Sequence, residues 1–152
     1  MRVSSAVVRA ALVGFGSGAR SLSAITACAL TTPGPGRVDG VLHRPRVRKS
    51  LRSSALLELV SDKLPVTPPR TSPPSLTSRI ALGALSAGVL ASRAGDRRRH
   101  AVVVGAATAA GWALAGGRYR AVLTRRFGSD LPGAAFEDGA TVLAGVIATR
   151  IR

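Results

Sequence analysis

The sequence predicts an all-α fold: a small polytopic membrane helix bundle of four or five helical segments, one of them short and either re-entrant or packed between longer helices. Three observations lead there. Of 152 residues, 46% are hydrophobic, yet the aromatic residues are only Trp112, Tyr119 and three Phe. The apolar mass is therefore Ala, Val, Leu and Gly, which suits close helix packing in lipid better than a bulky soluble core. The arginines gather at the ends of apolar segments, in Arg37 to Arg52, Arg93 to Arg99, Arg118 to Arg126, and Arg150 with Arg152, as positively charged loops flank membrane helices. Glu58, Asp62 and Lys63, finally, share one short apolar stretch. Ionisable residues in such surroundings face a bundle interior or a wet cavity. Ala, Gly, Arg and Pro also share GC-rich codons, so the placement of charge weighs more than composition.

The first helix is expected over about Ser4 to Leu30 and carries Arg20 inside it; Thr31-Thr32-Pro33-Gly34-Pro35-Gly36 ends it, because Pro and Gly do not continue a helix. The basic, Pro-containing stretch that follows, within residues 34–50, reads as a solvated loop. Helix two, Leu51 to Leu64, is only fourteen residues or roughly 21 Å long. A bilayer core needs about 20 residues, so this segment is expected to be re-entrant or packed between longer helices. The proline-rich run 65–74 separates it from helix three, for which Ser72 is the expected N-cap and Pro73 the first helical residue. That helix extends to about Ser92.

Helix four, His100 to Gly117, is free of Asp, Glu, Lys and Arg and covers roughly 27 Å. Arg118, Tyr119 and Arg120 follow, so Trp112 and Tyr119 are expected as interface anchors. The basic segment 118–132 ends at Leu131-Pro132-Gly133, and helix five runs from about Ala134 to Arg150 with Glu137 and Asp138 in its first turns, where acids suit the helix dipole. Small residues recur four apart, as Gly14 with Gly18, Gly83 with Ala87, and Ala107, Gly111 and Ala115. Such stripes let backbones approach closely. A Gly-rich helix followed by an acidic one occurs twice, a faint internal repeat of the kind transporters use. The whole chain, 1–152, is one membrane domain in this reading. The topology carries a conflict: if Arg37 to Arg52 and Arg93 to Arg99 share the cytoplasmic side, a crossing helix four sends Arg118 to Arg126 outside, against the positive-inside rule.

Ser54, Glu58 and Asp62 lie four apart on one helix face, with Leu56, Leu57, Val60 and Leu64 on another. Two carboxylates one turn apart repel, so burial demands a proton or cation between them. Arg20, Arg79 and Lys63 are the internal candidates; Glu137, on a weakly polar stripe with Thr141 and Gly145, either suits the helix dipole and interface or meets Arg118 or Arg120 inside the bundle. Arg20, Glu58, Asp62, Lys63, Arg79 and Glu137 thus form the expected intramembrane charge network. It serves either as an internal salt-bridge lattice or as a site for a conducted cation or proton.

Other chemistry finds less support. Gly14-Phe15-Gly16-Ser17-Gly18 lacks the strand, the following strand and the acid about 20 residues on that a dinucleotide site needs. Cys28 is the sole cysteine, and His43 and His100 show no ligand spacing, so no metal or cofactor is expected and no enzyme. The acid-free, Arg- and Ser-containing first 38 residues also describe a mitochondrial presequence, although they read better as a membrane helix. The net charge of +15 allows a soluble nucleic-acid binder, disfavoured by the hydropathy and by the scarcity of aromatics for base stacking.

The segment Glu58-Leu-Val-Ser-Asp62-Lys63-Leu64-Pro65-Val-Thr-Pro68-Pro-Arg70-Thr71 resembles the signature of an uncharacterised bacterial membrane-protein family, catalogued as domain of unknown function 4126. Gly18-Ala19-Arg20-Ser21, Arg79 with Gly83-Ala84, Gly117-Arg118-Tyr119 and Glu137-Asp138 are similar to further motifs of that family, in order. The resemblance implies a multi-helix bacterial membrane protein and carries no reaction or substrate. The combined expectation is a non-enzymatic, multi-pass protein of the bacterial inner membrane, conducting or transporting an ion or small solute, or else scaffolding. Its partners would be the lipid bilayer, further copies of the chain, and a cation or proton.

Overall fold

The computed structural model describes residues 4–61, 72–129 and 131–151. Every regular element in them is helical: α1 (Ser5–Ala19), α2 (Ser23–Leu30), α3 (Arg37–Leu42), α4 (Pro45–Ser61), α5 (Pro73–Ala94), α6 (Arg98–Phe127) and α7 (Leu131–Arg150). The all-α class stands, with seven helices among the described residues instead of four or five. Two of them, α5 and α6, are long and apolar enough to cross a membrane, so a bundle of four or five full crossings does not follow from helix length.

The expected helix Ser4–Leu30 is two helices. Ser4 caps α1 through its side chain. The helix stops at Arg20, which turns to extended φ and ψ of −137° and 115°, and α2 starts at Ser23. Contacts along α7 give the direction of each: Arg20 bonds to Asp138, Gly16 lies against Thr141, Ala27 against Gly145, and Arg9 bonds to the Ile151 carbonyl. The chain therefore doubles back at Arg20-Ser21-Leu22. The described reversal lies in the first segment; the end of the expected Glu58 helix, beyond Ser61, lies outside the described residues.

Residues 37–42 and 45–50 are helical rather than a loop, joined by a turn at His43 and Arg44. Asp39 sits in the first turn of α3, where a carboxylate favours the helix dipole. Pro45 occupies the start of α4, the one helical position at which a missing N–H costs nothing. Ser72 and Pro73 open α5 as the sequence predicts. The helix predicted over His100 to Gly117 continues to Phe127, because Arg, Ala and Leu in 118–126 are good helix formers. Gly95 and Gly128 end α5 and α6 at φ of 72° and 68°, left-handed backbone that glycine reaches without steric cost.

α1, α5 and α6 pack backbone to backbone. A Cβ on Gly14 would lie 2.5 Å from the Gly105 carbonyl, one on Gly18 would lie 2.6 Å from the Ala109 carbonyl, and one on Gly105 would lie 2.6 Å from the Gly83 carbonyl. α1 and α6 run in the same direction, and α5 runs against both. α7 packs along α1, while α4 lies on α2, where the Thr26 hydroxyl reaches the Leu51 carbonyl at 3.4 Å. The bundle thus has two ends. The reversal and the starts of α5 and α7 form one, and the starts of α1 and α6 with the finishes of α5 and α7 form the other.

Small residues dominate the interior around a buried cluster that includes Val13, Ile25, Leu42, Val89 and Leu90, and several large apolar side chains remain on the surface. Buried positions belong mainly to Ala, Gly and Ser, joined by Arg9, Arg20, Arg79, Asp39 and Glu137, while Leu56, Leu57, Val103, Val122, Phe136 and Val142 are each more than 60% exposed. α4 shows this most plainly. Ser54 and Glu58 are half-buried against the bundle, and Leu56, Leu57 and Val60 point outward.

Candidate functional site

The candidate site is the reversal between α1 and α2. Breaking a helix leaves carbonyls without partners at the finish of one piece and N–H groups without partners at the start of the next. No Pro or Gly occurs in Arg20-Ser21-Leu22, and Leu22 makes no side-chain cap. Partners arrive from elsewhere in the chain. The Glu58 carboxylate on α4 accepts the Ser21 N–H at 2.7 Å and the Leu22 N–H at 3.0 Å. The Arg79 guanidinium on α5 donates from Nη1 to the Gly18 and Ala19 carbonyls, both at 2.9 Å. Each charge meets the helix terminus of opposite partial charge, and the Arg79 Nη2 and Glu58 Oε1 atoms are 3.8 Å apart. The Ser75 hydroxyl, one turn before Arg79, accepts its Nε–H at 3.3 Å.

Within the turn, the Ser23 hydroxyl lies 2.9 Å from both the Gly16 and Arg20 carbonyls. The Arg20 side chain leaves the turn toward α7 and donates from Nε to Asp138 Oδ1 at 2.8 Å, with Nη2 at 2.5 Å from the same oxygen. One helical position earlier, Glu137 is 1% exposed and accepts the Trp112 indole N–H at 3.1 Å. Trp112 in turn meets the Phe15 ring edge-on at 4.6 Å and lies 6.2 Å from the Tyr119 ring, which is 6.4 Å from that of Phe136. The half-buried Trp112 and Tyr119 therefore form a row of rings over Glu137.

Of the six expected network residues, Arg20, Glu58 and Arg79 converge on the reversal, and Glu137 lies beside it next to Asp138. Asp62 and Lys63 lie outside the described residues. Asp138, read from sequence as a dipole-favoured surface acid, is the partner of Arg20. The Ser21 and Leu22 amides carry no signal in sequence, because any residue supplies a backbone N–H.

A second set of charged contacts sits at the opposite end. Arg93 binds Asp39 through Nε at 3.1 and 3.2 Å, the Thr31 hydroxyl at 2.8 Å and the Cys28 carbonyl at 2.7 Å; it holds the finish of α2 as Arg79 holds that of α1. His43 approaches the Asp39 and Thr31 carbonyls at 2.9 and 2.6 Å, and Arg9 pairs with Asp96. Asp39, an acid isolated among arginines in sequence, was the available clue to this cluster. No group of three or more His, Cys, Asp or Glu side chains that could hold a metal ion occurs among the described residues. Cys28 is buried with its thiol 3.9 Å from the Ser86 carbonyl.

No protein-family model matches the chain, and no curated protein or solved structure is detectably similar to it.

Proposed function

We propose that the chain is a non-enzymatic, multi-pass integral membrane protein in which a doubled-back helical hairpin is held by internally paired charges, and that its role is structural or scaffolding. The observation that carries this reading is the closure of the reversal by Glu58 and Arg79. Both charges are spent on backbone groups, as lipid demands of any non-helical backbone at membrane depth. The exposed Leu56, Leu57, Val103, Val122, Phe136 and Val142 side chains support lipid as the surroundings. The hairpin, α4 and α7 would complete the membrane domain around the two long apolar helices α5 and α6.

Basic residues flank both ends of the bundle: Arg93 and Arg97 to Arg99 lie at the end away from the reversal, and Arg118, Arg120, Arg125 and Arg126 on the last turns of α6 lie at the other. The positive-inside rule therefore favours neither end, and the bacterial inner-membrane location is proposed without an orientation. The resemblance to domain of unknown function 4126 belongs to the same proposal. Alkaline carbonate extraction tests insertion, and the tagged chain should stay in the membrane pellet. A structural role then requires that Glu58→Gln lower the yield of folded protein while reconstituted wild-type liposomes carry no cation or proton flux above empty ones.

A second reading, conduction of an ion or small solute, draws on the discontinuous helix itself. Half-helix ends near a membrane midplane are the usual ion and substrate sites of transporters. It requires a wild-type flux that Glu58→Gln abolishes with the fold intact, so the flux assay separates the two.

A further inference from the structure

The end away from the reversal holds a cleft of about 820 Å³ between the loop after α2 and the last turns of α5 and α7. Three guanidinium groups line it: Arg9 from α1, Arg93 from α5 and Arg150 from α7. Arg9 and Arg93 are largely buried and held in place by Asp96 and Asp39. Arg150 is exposed and makes no ion pair among the described residues. Arg9 places Nη1 on the Ile151 carbonyl and Nη2 on Asp96, and its buried Nε has no acceptor among the described residues. Three cations against two carboxylates leave the cleft positive, and the adjacent Arg97, Arg98 and Arg99 strengthen the field. Helix dipoles do not reverse this sign, because α1, α4 and α6 start at this end while α2, α5 and α7 finish there, so their partial charges cancel.

We infer that this cleft binds a phosphate-bearing anion, either the headgroup of an anionic phospholipid or free phosphate. The Arg150 guanidinium offers a fork that matches phosphate oxygens in pairs, a geometry that an ammonium group cannot copy, while the forks of Arg9 and Arg93 are engaged within the protein and contribute their charge. The remaining walls include Leu30, Leu90, Ala148 and Ile151, which give an acyl or glycerol portion an apolar surface beside the charged one. Basic pockets between helices on a cytoplasmic face bind headgroups in this way. The phosphate chemistry stands on the arginines alone; only the lipid source rests on the membrane reading proposed above.

The test uses full-length protein purified in nonionic detergent, with Trp112, the single tryptophan, reporting thermal unfolding. Inorganic phosphate, short-chain phosphatidylglycerol and short-chain phosphatidylcholine are titrated separately against sodium chloride of equal ionic strength. A saturable rise in melting temperature with phosphatidylglycerol alone identifies the headgroup, and a rise with inorganic phosphate identifies a free-phosphate site. Arg150→Gln should weaken the apparent affinity about tenfold, the loss of one charge-assisted contact, without changing the melting temperature of the ligand-free protein. Arg125→Gln, an equal charge change on an exposed turn of α6 at the other end, should leave affinity unchanged. Equal stabilisation by phosphatidylcholine, no stabilisation beyond chloride, or equal binding by Arg150→Gln overturns the inference.

Discussion

Glu58 and Arg79 close the two sides of one gap: the carboxylate takes the N–H groups of Ser21 and Leu22 at the start of α2, and the guanidinium takes the carbonyls of Gly18 and Ala19 at the finish of α1. Removing either leaves one side of the gap without its side-chain partner, the amides of α2 or the carbonyls of α1. Glu58→Ala leaves two amides without their acceptor and should cost about 2–4 kcal/mol, whereas Glu58→Gln keeps one acceptor oxygen and should cost about 1–2 kcal/mol. Chemical unfolding of the detergent-solubilised protein measures both. Equal stability of Glu58→Ala and wild type would remove the capping role.

Arg79→Met strands the partly buried carboxylate as well as two carbonyls, and is expected to cost about 3–5 kcal/mol. Arg79→Lys should retain part of that, since an ammonium donates to carbonyls but offers no fork. In a double-mutant cycle with Glu58→Gln, the two losses should be non-additive by about 0.5–3 kcal/mol, the range for residues sharing one network. Strict additivity would mean that the two caps act independently.

The small-residue contact predicts a contrast between two glycines on α6. Gly105→Ala forces a methyl group to within 2.6 Å of the Gly83 carbonyl, backbone that cannot rotate away, and should cost about 1–3 kcal/mol. Gly111→Ala meets nothing within 4 Å and should raise stability by up to about 1 kcal/mol through helix propensity. Melting temperatures of the two variants should therefore fall on opposite sides of the wild type.

Trp112 gives Glu137 an indole N–H inside the bundle, and the pair is read optically because no other tryptophan is present. Glu137→Gln should shift the Trp112 emission maximum while the helix content seen by circular dichroism stays constant. Trp112→Phe should destabilise by about 0.5–1.5 kcal/mol, the net loss of one buried hydrogen bond. An unchanged emission maximum in Glu137→Gln would separate the two residues functionally.

Much of the fold is legible in the sequence because the signals involved are local. Ser72-Pro73 marks the start of α5 by cap chemistry, the charge-free run after His100 marks α6, and the spacing of Glu58 against Leu56, Leu57 and Val60 marks α4 as two-faced. Helix α3 and the first turns of α4 carry loop-like composition in Pro45 and the arginines, yet Pro at a helix start and solvated Arg are both compatible with helix.

By itself, then, the sequence determined the helical class, the small-residue packing character and the positions of the basic clusters, all of which follow from residue type and spacing within a turn or two. The tertiary structure alone decided that the first apolar segment reverses at Arg20, which end of the bundle each cluster joins, and which charges meet. The physical reason is distance along the chain. The backbone groups exposed by the reversal are satisfied by Glu58 and Arg79, and Arg20 by Asp138, 118 residues away, so neither the break nor its partners leave a trace in the residues where the chain turns.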